Sequence, residues 1–224
     1  MGSLKEKFNS DGYILVENLL DYNETARLRN ICDAMPPMAL PSGVHVNSEE
    51  WWTDYSHQIM DEDKEFLDTI RLKQKDIADI LYDGSENYSV GAVGFKVTNP
   101  GGGKVSPHFD TPYDRPKHYN DFGFTKCIQG CILVDKFDQT NGGTMIWPGS
   151  QTIEFDYEKV LAGDYNEQFL ENGIPVVADE GTCMFFHARV MHSTMPNKSQ
   201  QRRRLMLGLY ISTDKEFRDE YQKN

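Results

Sequence analysis

From residue 88 to residue 211 the chain is cut into short β-rich runs by glycine, proline, asparagine and aspartate turns. This alternation constrains the fold more than any other feature. The first run, 88–97, carries Val90, Val93, Phe95 and Val97 and ends in the turn Asn99-Pro100-Gly101-Gly102-Gly103. Residues 127–134, 144–147, 175–178, 182–186 and 205–211 read as further strands. Asp138-Gln139-Thr140-Asn141-Gly142-Gly143 reads as the loop of a hairpin, with 144–147 as its return strand. Upstream the rhythm is different. Tyr13-Ile14-Leu15-Val16 is a short strand after the turn Asp11-Gly12. Asp21 caps a helix over about 22–34, and Phe66, Ile70, Ile77 and Leu81 give a helical spacing over 61–84, stopped at Asp83-Gly84. Helices first and many short strands afterwards predict an α+β, mainly β chain: a double-stranded β-helix (jelly roll) with flanking helices. No internal repeat and no linker interrupts it, so 1–224 is expected to be a single domain.

Two stretches resist this scheme. Residues 36–58 hold Pro36, Pro37, Pro41, Trp51, Trp52 and Tyr55 and read as an irregular aromatic loop, either a lid or a surface loop pinned by its tryptophans. Residues 153–172 are mixed and read as a helical insertion.

Charge removes some functions. With 23 basic and 35 acidic residues the net charge is −12, and the one cationic cluster is Arg202-Arg203-Arg204 with Lys198. That is too small a patch for nucleic acid. Solvation is the plain expectation for at least two of those arginines. No apolar run is long enough to span a membrane, the opening residues lack a secretory apolar region, and Glu6 stands where myristoylation needs Ser or Thr. Cys32, Cys127, Cys131 and Cys183 form no C-x-x-C and read as reduced core thiols, which places the protein in the cytoplasm. The glycine run at 101–103 lacks the Lys-Ser/Thr of a phosphate-binding loop.

The chemistry concentrates at His108-Phe109-Asp110. In an extended backbone residues i and i+2 point the same way, so an imidazole and a carboxylate aim at one point. They make two-thirds of the two-histidine, one-carboxylate set that holds Fe(II) and leaves positions open. His192, far downstream, supplies the third group. His187, five residues earlier, falls on the opposite face of an extended chain and reads as a packed group. His45, His57 and His118 read as loop residues, and Tyr113, Asp114 and Arg115 as substrate-side or solvated residues.

Four stretches together resemble the phytanoyl-CoA dioxygenase-like branch of the Fe(II)/2-oxoglutarate-dependent oxygenases. They are Phe8…Asp11-Gly12-Tyr13-Ile14-Leu15-Val16…Leu19-Leu20; His108-Phe109-Asp110; Asn141-Gly142-Gly143-Thr144…Pro148-Gly149-Ser150; and 185–197 with Arg203. Gln151 departs from the pattern, standing where a histidine is usual. The resemblance covers about 8–211. It implies Fe(II) on His108, Asp110 and His192, with 2-oxoglutarate as co-substrate, O2 as oxidant and ascorbate as a helpful reductant in vitro. It implies that Arg203, eleven residues after His192, holds the distal carboxylate of 2-oxoglutarate. An arginine fork suits a carboxylate. Thr194, on the face of His192, offers a hydroxyl to the same group. Arg202 and Arg204 point to the opposite face from Arg203.

The reaction implied is hydroxylation of a small molecule with release of succinate and CO2. Related halogenases replace the carboxylate ligand by Ala or Gly, and Asp110 argues against that chemistry. Two alternatives stay open: a cupin-like metal-binding protein without oxygenase activity, and a protein hydroxylase that docks its partner on 36–58. The acidic composition favours a neutral or cationic substrate over a CoA ester. No nucleic acid or membrane partner is expected.

Overall fold

The computed structural model describes residues 3–34, 50–54, 61–103, 105–110, 127–153 and 170–213. Helix α1 (Leu4–Asp11) opens on a capping box in which Ser3 and Glu6 satisfy each other's backbone N–H groups. It closes at Gly12, whose φ of +77° favours glycine. Strand β1 (Tyr13–Val16) and helix α2 (Tyr22–Ala34) follow. A second capping box, Asp21 with Glu24, starts α2 with two bonds of 2.9 Å. Helix α3 (Asp61–Tyr82) stops where Asp83 takes a φ of +60°. The expected first strand and both expected helices therefore stand where periodicity placed them.

The strands form two antiparallel sheets. Besides β1 they are β2 (Glu50–Asp54), β3 (Tyr88–Thr98), β4 (Val105–His108), β5 (Cys127–Leu133), β6 (Thr144–Ile146), β7 (Ile174–Pro175), β8 (Cys183–His187), β9 (His192–Thr194) and β10 (Arg203–Ser212). One sheet runs β1-β8-β5-β10-β3-β2 and the other β4-β9-β6-β7. Side chains alternate across a strand, so each strand of the large sheet serves two layers. Phe95, Ile128, Phe185, Met206 and Tyr210 pack with Leu28, Leu67 and Ile70 of the helices. Cys131, Leu133, Met184, Phe186 and Leu205 face the other way and pack with Ile146 and Val176 of the small sheet and with Val190. This is the expected jelly roll, with α1, α2 and α3 on one side. All four cysteines are buried and free.

Two expectations change. Residues 138–143 are no hairpin: β5 lies between β8 and β10, whereas β6 lies between β9 and β7. Both edges of β5 are already taken, so the turn carries the chain from one sheet to the other. The turn itself is real. Asp138 accepts from Thr140 N at 2.6 Å and Asn141 N at 3.0 Å, and Gly142 takes a φ of +80°. Of the loop at 36–58 only 50–54 is described, and it is a strand, paired with β3 from Glu50↔Thr98 to Asp54↔Gly94. Its β-forming residues find an open sheet edge there. The expected insertion at 153–172 lies outside the described residues except at its ends, as does the segment with Tyr113, Asp114, Arg115 and His118.

Candidate metal centre

His108 ends β4 and His192 begins β9; the two residues are direct partners across the ladder of the small sheet. Their rings lie 4.3 Å apart between centroids. Asp110 follows β4, and its backbone N–H donates to Ala188 O at 2.8 Å, which turns the carboxylate back toward both rings. Asp110 Oδ1 is 3.6 Å from His108 Nε2, and Oδ2 is 3.5 Å from His192 Nε2. One potential ligand atom from each residue lies within 4.8 Å of the others. Pairing between β4 and β9 thus does what spacing alone could only suggest.

The ring of His192 is oriented from behind. Its Nδ1 lies 3.0 Å from Val190 O, and a carbonyl only accepts, so Nδ1 carries the proton and Nε2 keeps its lone pair for the site. Burial drives this imidazole down to about 4, against the opposite pull of Asp110. It is therefore neutral at pH 7, and its contact with Asp110 is not an ion pair. Two imidazole nitrogens and one carboxylate oxygen make a donor set that fits Fe(II).

His187 stands apart from this cluster. The reason is a turn through 188–191 between β8 and β9, not the alternation of one extended strand. Its Nδ1 accepts from Arg189 N at 3.0 Å, and its ring packs 6.5 Å from that of Phe8.

Arg203 is 1% exposed. It sits on the inner face of β10, donates from Nη2 to Thr98 Oγ1 at 2.7 Å, and lies over the Phe137 ring at 4.9 Å. Thr194 is buried on β9, two residues past His192, and its Oγ1 accepts from Lys96 Nζ at 3.0 Å. Lys96 lies opposite Leu205 and two residues from Thr98, so it shares the inner face with Arg203 and reaches across to the small sheet. Sequence reasoning missed Lys96; the alternation Lys96, Thr98 against Phe95, Val97 was the available signal.

Arg204 corrects the expectation of a solvated pair beside Arg203. It points outward, as parity requires, but donates to Asp33 at 2.8 and 3.0 Å and to Asp135 at 2.9 Å. Arg202 remains exposed, 3.8 Å from Asp33.

A jelly roll that gathers two histidines and an aspartate on its small sheet, with a buried arginine on the inner face of the large sheet, has the layout of an Fe(II)/2-oxoglutarate oxygenase. The phytanoyl-CoA dioxygenase (PhyH) family matches residues 8–205, and the chain belongs to that family. A curated relative, "Dioxygenase lolE1" of Epichloe uncinata, is 31% identical over 120 residues, which is 53% of this chain and 43% of the relative. The chain's match thus spans less than half of that relative's length. Among solved structures, HygX from Streptomyces hygroscopicus, with nickel and 2-oxoglutarate bound, aligns with a TM-score of 0.72 at 11% identity, over 95% of this chain and 89% of that one. SnoN, a non-heme alpha ketoglutarate dependent epimerase from nogalamycin biosynthesis, aligns with a TM-score of 0.68 at 17% identity, over 93% and 81%. At such identities these likenesses establish the fold. No described helix is long and apolar enough to cross a membrane.

Proposed function

We propose that this chain is an Fe(II)- and 2-oxoglutarate-dependent dioxygenase that hydroxylates a small molecule. His108, Asp110 and His192 are the metal ligands; Arg203 and Thr194, with Lys96 beside them, receive the distal carboxylate of 2-oxoglutarate. The observation that carries the reading is a His-Asp-His cluster on the small sheet and a buried arginine on the inner face of the large sheet of one β-sandwich. When bound, iron and 2-oxoglutarate supply O2 activation and the oxidative decarboxylation that releases succinate and CO2. The protein's residues supply geometry. Asp110 and the two imidazoles would hold the metal. Arg203 is held over the Phe137 ring and bonded to Thr98, which restrains its fork for a carboxylate. Thr194 and Lys96 bring a hydroxyl and a second positive charge across the gap between the sheets. A cupin-like metal protein has no need of this clamp. We further place the protein in the cytoplasm as a single domain over 1–224, a reading supported by its four free buried thiols and by a family match running through both sheets.

Titration of 2-oxoglutarate into anaerobic Mn(II)-loaded protein tests the clamp. Arg203→Ala weakens binding at least about tenfold, since a charge-assisted bond contributes roughly 1.5–3 kcal/mol and each 1.4 kcal/mol is a decade. Arg204→Ala leaves 2-oxoglutarate affinity unchanged. Equal affinity in wild type and Arg203→Ala removes Arg203 from the clamp. Absence of 2-oxoglutarate binding to metal-loaded wild type returns the protein to the cupin-like class.

A further inference from the structure

Gln129 lies on the inner face of β5, opposite Leu209 of β10, and belongs to the large sheet, whereas Asp110 follows β4 of the small one. Its Nε2 donates to Asp110 Oδ2 at 3.2 Å. A carboxylate only accepts, so the amide nitrogen, not its oxygen, must face Asp110.

The backbone of Asp110 is already fixed through its bond to Ala188 O. What remains free is rotation of the carboxylate. Its two oxygens are nearly equivalent toward the imidazoles, at 3.6 Å from His108 Nε2 and 3.5 Å from His192 Nε2. Nothing in the triad itself decides whether Asp110 meets a metal through one oxygen or both. The choice matters, because a bidentate carboxylate takes a fourth position on a six-coordinate ion, and 2-oxoglutarate with O2 needs three. The amide breaks the tie by engaging Oδ2.

We propose that Gln129 is a positioning residue that holds Asp110 in single-oxygen coordination through Oδ1, so that three positions stay open for 2-oxoglutarate and O2. The inference rests on the triad assignment proposed above. It assigns a role to a side chain that reaches the centre from the opposite sheet and contacts a ligand from behind, as outer partners of metal ligands do.

Anaerobic titration with Co(II), followed by its visible spectrum, separates the outcomes. In Gln129→Met, which keeps length but lacks a donor, Co(II) affinity falls about 10–100-fold, the usual effect of losing such a partner. The Co(II) spectrum changes with the coordination, and 2-oxoglutarate binds the Mn(II)-loaded variant more weakly because Oδ2 now competes for a position. The melting temperature of the metal-free variant stays at the wild-type value. Wild-type Co(II) affinity, spectrum and 2-oxoglutarate affinity in Gln129→Met overturn the proposal. A loss of Co(II) affinity matched by an equal loss of metal-free stability also overturns it, since that is packing and not positioning. Wild type that binds no Co(II) overturns the triad assignment as well, which is a distinguishable failure.

Discussion

His192 shows how one side chain is prepared for one task. Its Nδ1 is committed to Val190 O, its ring is pressed against Phe186 at 4.7 Å and His108 at 4.3 Å, and burial keeps it neutral far below the ordinary histidine range. The sign for stability follows. An unfolded histidine takes its proton near pH 6.5, whereas the folded ring takes it at about 4. Between those values the unfolded state binds more protons, so the metal-free protein loses stability as pH falls from about 6.5 to about 4. Below pH 4 this residue adds no further slope. Urea midpoints of metal-free wild type and His192→Asn at pH 7, 5.5 and 4.5, values bracketing the ordinary histidine range, check this: the variant lacks that part of the decline. A matching decline in both would place the titration elsewhere. At the same centre, His108→Ala, Asp110→Ala and His192→Ala each abolish Mn(II) binding, while His187→Ala retains it because its ring packs on Phe8 outside the cluster. Isothermal titration with Mn(II) measures all four, and loss in His187→Ala with retention in His192→Ala reverses the ligand assignment.

At the scale of elements, the Pro148-Gly149-Ser150 stretch has a physical reason that its motif did not reveal. Ser150 Oγ donates to Trp147 O at 2.6 Å and accepts from Met191 N at 2.8 Å, which fixes the residue just before His192. Gln151, the departure from the family pattern, donates to Asn9 O and Ser10 O at 3.0 and 3.2 Å and ties the end of α1 to the same turn. Ser150→Ala leaves a buried Met191 N–H without its acceptor, which costs about 1–3 kcal/mol. A urea midpoint shift of that size, with a drop in Mn(II) affinity, is the expected result; unchanged metal affinity would detach this turn from the site. The contrast between β5 and β6 shows what was legible in the sequence and what was not. A short apolar run located β5, and turn residues located the loop after it and the strand that follows, because those signals are local. Sheet membership was not legible, because it depends on which distant strand fills each edge. For the same reason His108, Asp110 and His192 could be named from residue type and order, while Gln129 could not, and for Lys96 alternation gave only the strand face: each reaches the site from a strand whose partner is set by the whole fold.

For the molecule as a whole, strand β10 divides two labours between its faces. Arg203 turns inward to the proposed co-substrate clamp, and Arg204 turns outward to the helices. The outward side is an ion network that ties α2 to the large sheet: Arg204 bonds Asp33 and Asp135, and Arg29 of α2 bonds Asp135 at 2.8 Å and Val134 O at 2.8 Å. Asp135 is the hub, receiving two arginines and the backbone N–H of Arg204. Its removal leaves two partly buried cations facing each other with one fewer counter-charge. Full burial would make that cost 3–5 kcal/mol, and partial exposure lowers it to about 2–3 kcal/mol. Asp135→Ala is therefore expected to shift the urea midpoint strongly while 2-oxoglutarate affinity of the surviving folded protein stays at the wild-type value. Arg203→Ala is expected to lose that affinity by the inward route. Measured side by side, the two variants test whether the faces of β10 are independent. A fall in 2-oxoglutarate affinity in folded Asp135→Ala would show that the outer network sets the position of Arg203, and that stability and co-substrate binding share one device in this fold.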